Sequence, residues 1–227
     1  MVAIANPQAT PRIDNRPAEA PERQSGQTDG IAKLAHLHAE AEETARLANL
    51  LGRSLYAAIA LPALALLTLA LNDGVGVTRP LVWCAFVAAA AVAMLRAYFQ
   101  TIDRPFERAA LRSFAKDLSA ILLFAGFAWG AGAFLALPAA SGVTGALLFA
   151  AIPGVAVAAL LREREAAFLF LVPVAALASF ASVLRPFADG ILSAGLILVA
   201  CALVAGAATL YDRRGGNFER PAMLPLP

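Results

Sequence analysis

The chain of 227 residues is 60% hydrophobic and 15% charged, and its formal net charge is +2. A soluble domain carries about 25% charged residues, so this composition argues against an ordinary soluble domain. The small net charge also gives no reason to expect nucleic-acid binding. The first long apolar run begins only near Ser54, too late for a secretory signal peptide, so we expect it to remain in the mature protein.

Two segments precede that run. Residues 1–30 hold four prolines among polar residues without an apolar period, which predicts a disordered cytoplasmic tail. Residues 31–53 are rich in Ala, Leu and Glu, and they follow helix start signals at Asp29 and Gly30. This predicts an amphipathic cytoplasmic helix, either a plain lead-in to the membrane or a contact for its surface or for a partner. His36 and His38 would point about 200° apart on it, so no metal site is expected.

Six apolar runs follow, and we expect each to cross the roughly 30 Å core of a bilayer as a helix; the second is short, but Arg96 can snorkel and Tyr98 and Phe99 suit the interface. They are residues 55–71, 80–95, 118–137, 142–161, 166–184 and 190–210. None alternates polar and apolar residues as barrel strands do. The sequence therefore predicts an all-α, polytopic membrane protein, with six transmembrane helices over residues 54–211 and a cytoplasmic tail over residues 212–227.

Lys and Arg are distributed unequally between the two ends of these runs. Sixteen of the eighteen lie before the first run, between the second and third, between the fourth and fifth, or after the sixth. Only Arg79 and Arg185 lie on the other side. By the positive-inside rule, both termini are predicted to be cytoplasmic.

The runs contain no Asp, Glu, Lys, Arg or His away from their ends. Proton pumps, ion-coupled transporters and haem-binding bundles generally need such groups at depth, so we expect none of these functions. We likewise expect no enzymatic activity, no cofactor and no metal. A carrier for an apolar solute stays open. Cys84 and Cys201 lie inside two of the runs and are predicted to be reduced packing residues.

Small residues recur at four-residue spacing in the third and fourth runs, a pattern that lets helix backbones approach closely. The predicted helix-packing positions are Gly126, Gly130, Ala146, Ala150 and Gly154. Their partners would lie in the same chain or in a homodimer. Prolines inside three runs are expected to kink their helices, as a tolerated packing feature or to form a cavity or hinge. They are Pro62, Pro153 and Pro173. Trp129, in the middle of the third run, is predicted to fill the core.

Residues 96–117, between the second and third runs, combine aromatic and apolar residues with basic residues spaced four apart. This pattern predicts an amphipathic cytoplasmic hairpin or helix at the anionic leaflet. The predicted contact residues, for membrane lipids or for a cytoplasmic protein partner, are Arg104, Arg108, Arg112 and Lys116.

Several short segments together resemble a bacterial family. They are Arg112 before the third run, Phe127–Gly130 within it, Ile152–Gly154 in the fourth, Phe168–Pro173 in the fifth, and Arg213–Arg214 after the sixth. Over residues 45–215 the chain resembles the six-helix membrane sensor domain that precedes diguanylate cyclase (GGDEF) or histidine kinase output modules.

The sixteen residues after Tyr211 are too few for such an output module. The resemblance therefore implies either a truncated chain or a stand-alone sensory or regulatory module of the bacterial inner membrane that signals to a separate cytoplasmic partner. The alternative is an accessory or structural subunit of a larger membrane complex, whose neighbours lie in the membrane or at the cytoplasmic tails.

Overall fold

The computed structural model describes the backbone of residues 22–70, 78–103, 108–137, 142–184 and 190–218, and the side chains of residues 33–210 within those ranges. This part of the chain is all-helical. Its helices are α1 (Glu22–Ala70), α2 (Thr78–Ile102), α3 (Arg108–Leu135), α4 (Gly142–Leu161), α5 (Arg164–Leu184) and α6 (Gly190–Phe218). Each of these six contains a stretch long and apolar enough to cross a membrane. The prediction of an all-α, multi-pass membrane protein is confirmed.

The first helix is longer than the sequence predicts. α1 begins at Glu22 rather than Ile31 and continues through Gly52 into the first apolar run. The helix therefore starts earlier than predicted, and residues 1–21 of the predicted tail lie outside the described part. Ser54, just after Gly52, is a buried polar residue. Its hydroxyl is satisfied within the helix, because Oγ–H donates to Leu51 O at 2.7 Å. Gly52 lowers helix propensity by about 1 kcal/mol, but the helix continues through it because Leu50 and Leu51 beside it are buried in the core.

The described residues up to Glu42 belong to one unit, and the described residues from Glu43 onward belong to a second. In the first unit the described side chains from Lys33 to Ala39 are exposed, including those of Leu34 and Leu37. His36 Nδ1 lies 3.4 Å from Glu40 Oε1, one helical turn away.

The second unit is a helical bundle with α3 and α5 at its centre. α3 packs against α2 and α5, and α5 also packs against α4 and α6. In the most apolar stretch of each helix, 50% of α3 and 56% of α5 is buried, compared with 28% of α6. α1 contributes Leu51, Leu61 and Ala65 to the same core. Much of this core is alanine, which keeps the helix backbones close together.

The connection between α4 and α5 consists of only two residues, Arg162 and Glu163. Arg162 adopts the left-handed conformation with φ of 52°, which a non-glycine residue adopts only at a cost of about 1–2 kcal/mol. This conformation caps α4, because the Arg162 N–H donates to Ala158 O at 3.0 Å. Glu163 O in turn accepts a hydrogen bond from Ala167 N–H at 3.1 Å, which begins α5.

Candidate functional site

Charged side chains join three elements at one end of the bundle, which we call the basic end and which carries Arg46, Arg112 and Arg162. Here α1 is linked to α3 by a two-pronged ion pair. Arg112 Nε donates to Glu43 Oε1 at 3.0 Å, and Arg112 Nη2 donates to Glu43 Oε2 at 2.8 Å. A guanidinium that grips a carboxylate in this way fixes orientation as well as distance. Both side chains are about half exposed, so the pair contributes at most about 1 kcal/mol and chiefly positions α1.

A second ion pair links α1 to the connection between α4 and α5. Arg46 Nε donates to Glu163 Oε1. The Glu163 side chain is 15% exposed and that of Arg46 is 55% exposed, so the carboxylate is the more enclosed partner. Removing Arg46 would leave that carboxylate without its ion-pair partner in a partly desolvated position, which is more costly than removing an exposed partner.

Between these two ion pairs lies a cavity of about 150 Å³. Its lining contains both charged and apolar residues. The polar residues are Glu43, Arg46, Ser119, Glu163 and Glu165, and the apolar residues are Leu47, Leu50, Ala115, Leu118, Leu122 and Ala166. Ser119 is satisfied within α3, where its Oγ–H donates to Ala115 O at 2.8 Å.

The predicted row of basic residues is only partly continuous in the structure. For residues 96–117 the sequence predicted either a hairpin or a single helix. α2 ends at Ile102 and α3 begins at Arg108, so the prediction of a single helix is wrong. Arg104 lies outside the described residues. Arg108, Arg112 and Lys116 are spaced four apart on α3, with Arg108 half-buried and the other two exposed. The pairing of Arg112 with Glu43 was missed because the two are 69 residues apart and the sequence holds no signal that joins them.

The predicted small residues lie at helix contacts within the chain. A Cβ atom on Gly126 would collide with the backbone carbonyl of Phe170 and would lie 2.6 Å from Pro173 Cγ. On Gly130 it would lie 2.9 Å from Leu177 Cβ and 3.0 Å from Pro173 O. These glycines therefore set the close approach of α3 and α5.

The fourth helix makes similar contacts. A Cβ atom on Gly154 would collide with the side chain of Leu171 on α5. Ala146 and Ala150 are both buried. The faces considered for a homodimer at Gly126, Gly130 and Gly154 are thus filled by α5 of the same chain.

An aromatic cluster, defined by Trp83, Trp129 and Phe149, joins α2, α3 and α4. The ring centroids of the two tryptophans lie 5.2 Å apart in an edge-to-face arrangement, and each lies 5.6 Å from the ring of Phe149. Gly132 makes room for this cluster, because a Cβ atom there would collide with the indole of Trp83.

One hydrogen bond in the cluster replaces a backbone hydrogen bond that α4 lacks. In an α-helix the carbonyl of Phe149 would accept the N–H four residues later, but that residue is Pro153, which has none. Trp129 Nε1–H donates to Phe149 O at 2.9 Å instead. The prediction that Trp129 fills the core omitted this role. Two signals could have revealed it, since a proline inside a helix leaves a carbonyl unpaired and a buried indole N–H needs an acceptor.

Comparison of the chain with known protein families, with curated proteins and with solved structures finds no match. Two features stand out, namely a core held by glycine contacts and the aromatic cluster, and a basic end held by ion pairs around a cavity.

Proposed function

We propose that the protein is a sensory or regulatory membrane module that signals to a separate cytoplasmic protein, with α1 as the element that carries the signal. The observation that supports this is the double attachment of α1. Leu61 and Ala65 are buried in the core, whereas Glu43 and Arg46 are held by ion pairs to α3 and to the α4–α5 connection.

These two attachments differ in strength. Truncating a buried leucine in a core costs about 2–5 kcal/mol, whereas an exposed ion pair contributes about 1 kcal/mol or less. The part of α1 at the basic end can therefore rearrange at a lower cost in free energy than the part buried in the core. Segments that switch are drawn from such low-stability parts of a fold.

The first unit supplies a surface for the partner. Leu34 and Leu37 are 60% and 51% exposed, and they lie three residues apart on one helical face. Because α1 is helical from Glu22 to Ala70, these leucines belong to the same helix as the ion-paired residues.

The partner surface is tested by replacing Leu34 and Leu37 together with Glu. Replacing Ala35 and Ala39 with Glu is the matched control, since both are exposed on the same helix. After purification in mild detergent, we expect a copurifying cytoplasmic signalling enzyme to be lost from the leucine variant and retained by the alanine variant. Equal recovery of that enzyme with both variants, or no such enzyme with the wild type, would overturn the proposal.

The second candidate is an accessory subunit of a larger membrane complex, which the same exposed leucines favour because an obligate neighbour would cover them. The identity of the copurifying proteins separates the two candidates. Membrane subunits lost from the leucine variant would support the complex, whereas a soluble enzyme would support the sensor.

We place the protein in the bacterial inner membrane with both termini in the cytoplasm, a proposal supported by the unequal distribution of Lys and Arg. Single cysteines at Thr78 or Asp117, in a chain with Cys84 and Cys201 replaced by Ala, test this orientation without removing a basic residue. Both positions are exposed. An impermeant thiol reagent added to intact cells should label the cysteine at 78 and leave that at 117 unmodified. The reverse labelling pattern would show that the topology is inverted.

A further inference from the structure

We infer that the cavity at the basic end binds the headgroup of an ethanolamine phospholipid, with the phosphate at Arg46 and the ammonium at Glu165. The inference concerns what the cavity binds, and it stands whether or not α1 passes a signal to a partner. Its first support is position. Leu118 and Ala166 both line the cavity, and they begin the apolar runs of α3 and α5. The cavity therefore lies where the hydrocarbon region gives way to headgroups.

Its second support is the arrangement of polar and apolar surface. Leu47, Leu118 and Leu122 line the cavity together with charged residues of both signs. A purely ionic ligand would gain nothing from the leucines, and a purely apolar one would leave charged groups desolvated. A phospholipid satisfies both surfaces, since its glycerol and acyl carbons can lie against the leucines while its headgroup reaches the charges.

The third support is the charge that the ion pairs leave over. Glu43 is paired with Arg112, and Glu163 with Arg46. Glu165 has no ion pair within the described part of the chain, so one lining carboxylate can accept a cation. Arg46 contacts Glu163 through Nε, and a guanidinium has four further N–H donors at its two Nη atoms. These donors suit the oxygens of a phosphate. With both ion pairs formed, the charge left over is the single negative charge of Glu165, so the ammonium is held by charge and the phosphate by hydrogen bonds from the Nη atoms of Arg46.

The fourth support distinguishes ethanolamine from choline. Sites that recognise quaternary ammonium groups surround them with aromatic rings. The described lining of this cavity contains no aromatic residue. A primary ammonium can instead donate hydrogen bonds to a carboxylate, and Glu165 offers one.

The test is native mass spectrometry of the purified full-length chain in detergent with added phosphatidylethanolamine or phosphatidylcholine of identical acyl chains. We expect the wild type to retain the ethanolamine lipid about two- to fivefold more than the choline lipid, as for a partly exposed ion pair of about 0.5–1 kcal/mol. Glu165→Gln should abolish this preference. Asp117→Asn, which removes an exposed carboxylate on α3 outside the cavity lining, should keep it.

A second variant leaves every charge in place. Ser119→Leu puts a larger side chain into the cavity, so it should also reduce retention of the ethanolamine lipid if the headgroup lies inside. Equal retention of both lipids by the wild type, or an undiminished preference in Glu165→Gln or in Ser119→Leu, would overturn the assignment. Saturating soluble phosphoethanolamine should not displace the lipid, because it lacks the carbons that contact the leucines. Displacement by it would mean that the ligand is a soluble headgroup rather than a membrane lipid.

Discussion

Replacing Trp129 with Phe tests whether its indole supplies the hydrogen bond that Pro153 withholds from Phe149. The substitution keeps an aromatic ring but removes the donor that lies 2.9 Å from Phe149 O. Leaving a buried carbonyl unpaired costs about 1–3 kcal/mol in soluble proteins, whereas hydrogen bonds between membrane helices average about 0.6 kcal/mol. We therefore expect the lost bond to lower the free energy of unfolding by about 0.5–2 kcal/mol, in addition to the packing lost with the smaller ring.

The hydrogen-bond share can be separated from the packing share with a second substitution. Pro153→Ala restores a backbone N–H at position 153, so that α4 can satisfy Phe149 O by itself. In that background Trp129→Phe should lose packing only. The double-mutant cycle should then give a coupling energy of about 0.5–2 kcal/mol.

The cycle can be measured by unfolding the protein with increasing sodium dodecyl sulfate in mixed micelles. Cys201 is only 4% exposed, so modification of its thiol reports loss of the fold when Cys84 has been replaced by Ala. Trp83→Phe is the control, because Trp83 Nε1 has no hydrogen-bond partner in the described part of the chain. It should show no comparable coupling to Pro153→Ala. Additive effects of Trp129→Phe and Pro153→Ala, within about 0.3 kcal/mol, would refute the reasoning.

Two further predictions use the same unfolding assay. Gly126→Ala should destabilise the protein by about 1–3 kcal/mol, because its Cβ meets backbone atoms of α5, whereas Gly206→Ala, with open space around it, should not destabilise it. A Gly126→Ala variant as stable as Gly206→Ala would show that α3 and α5 are not in close contact. Glu43→Arg and Arg112→Glu should each destabilise by about 1 kcal/mol or less, and the double variant should recover most of the loss. No recovery would mean that the two side chains act independently.

Much of the fold could be predicted from the sequence because a bilayer leaves few alternatives. Backbone polar groups inside lipid must be satisfied within the segment, so an apolar run of sufficient length is a helix. The fourth run coincides with α4, and the fifth differs from α5 only at its start. α3 begins earlier than its apolar run, at Arg108, because nearly three amphipathic helical turns precede the membrane segment. The limits that failed are those where helices continue into polar sequence, as α1 does back to Glu22.

For the candidate site, the sequence predicts the types of residue and their spacing but not the contacts between them. The sequence shows basic residues at one side of the membrane and glycines spaced for close contact, but it does not show which residue meets which. Arg46 and Glu163 are 117 residues apart, and their contact depends on how α1 packs beside the α4–α5 connection. The hydrogen bond of Trp129 depends in the same way on the packing of α3 against α4. Such pairings arise from tertiary packing, on which local periodicity carries no information.

The two-residue connection between α4 and α5 also has a consequence for biosynthesis. Arg162 and Glu163, even fully extended, span at most about 7 Å, far less than the roughly 30 Å of hydrocarbon. The facing ends of α4 and α5 must therefore stay on the same side of the membrane at every stage of insertion. Neither helix can invert alone, so the pair has to enter the bilayer as a hairpin. Arg162 and Arg164 then orient both helices at once, and an error in placing this connection would misorient α4 and α5 together rather than one helix alone.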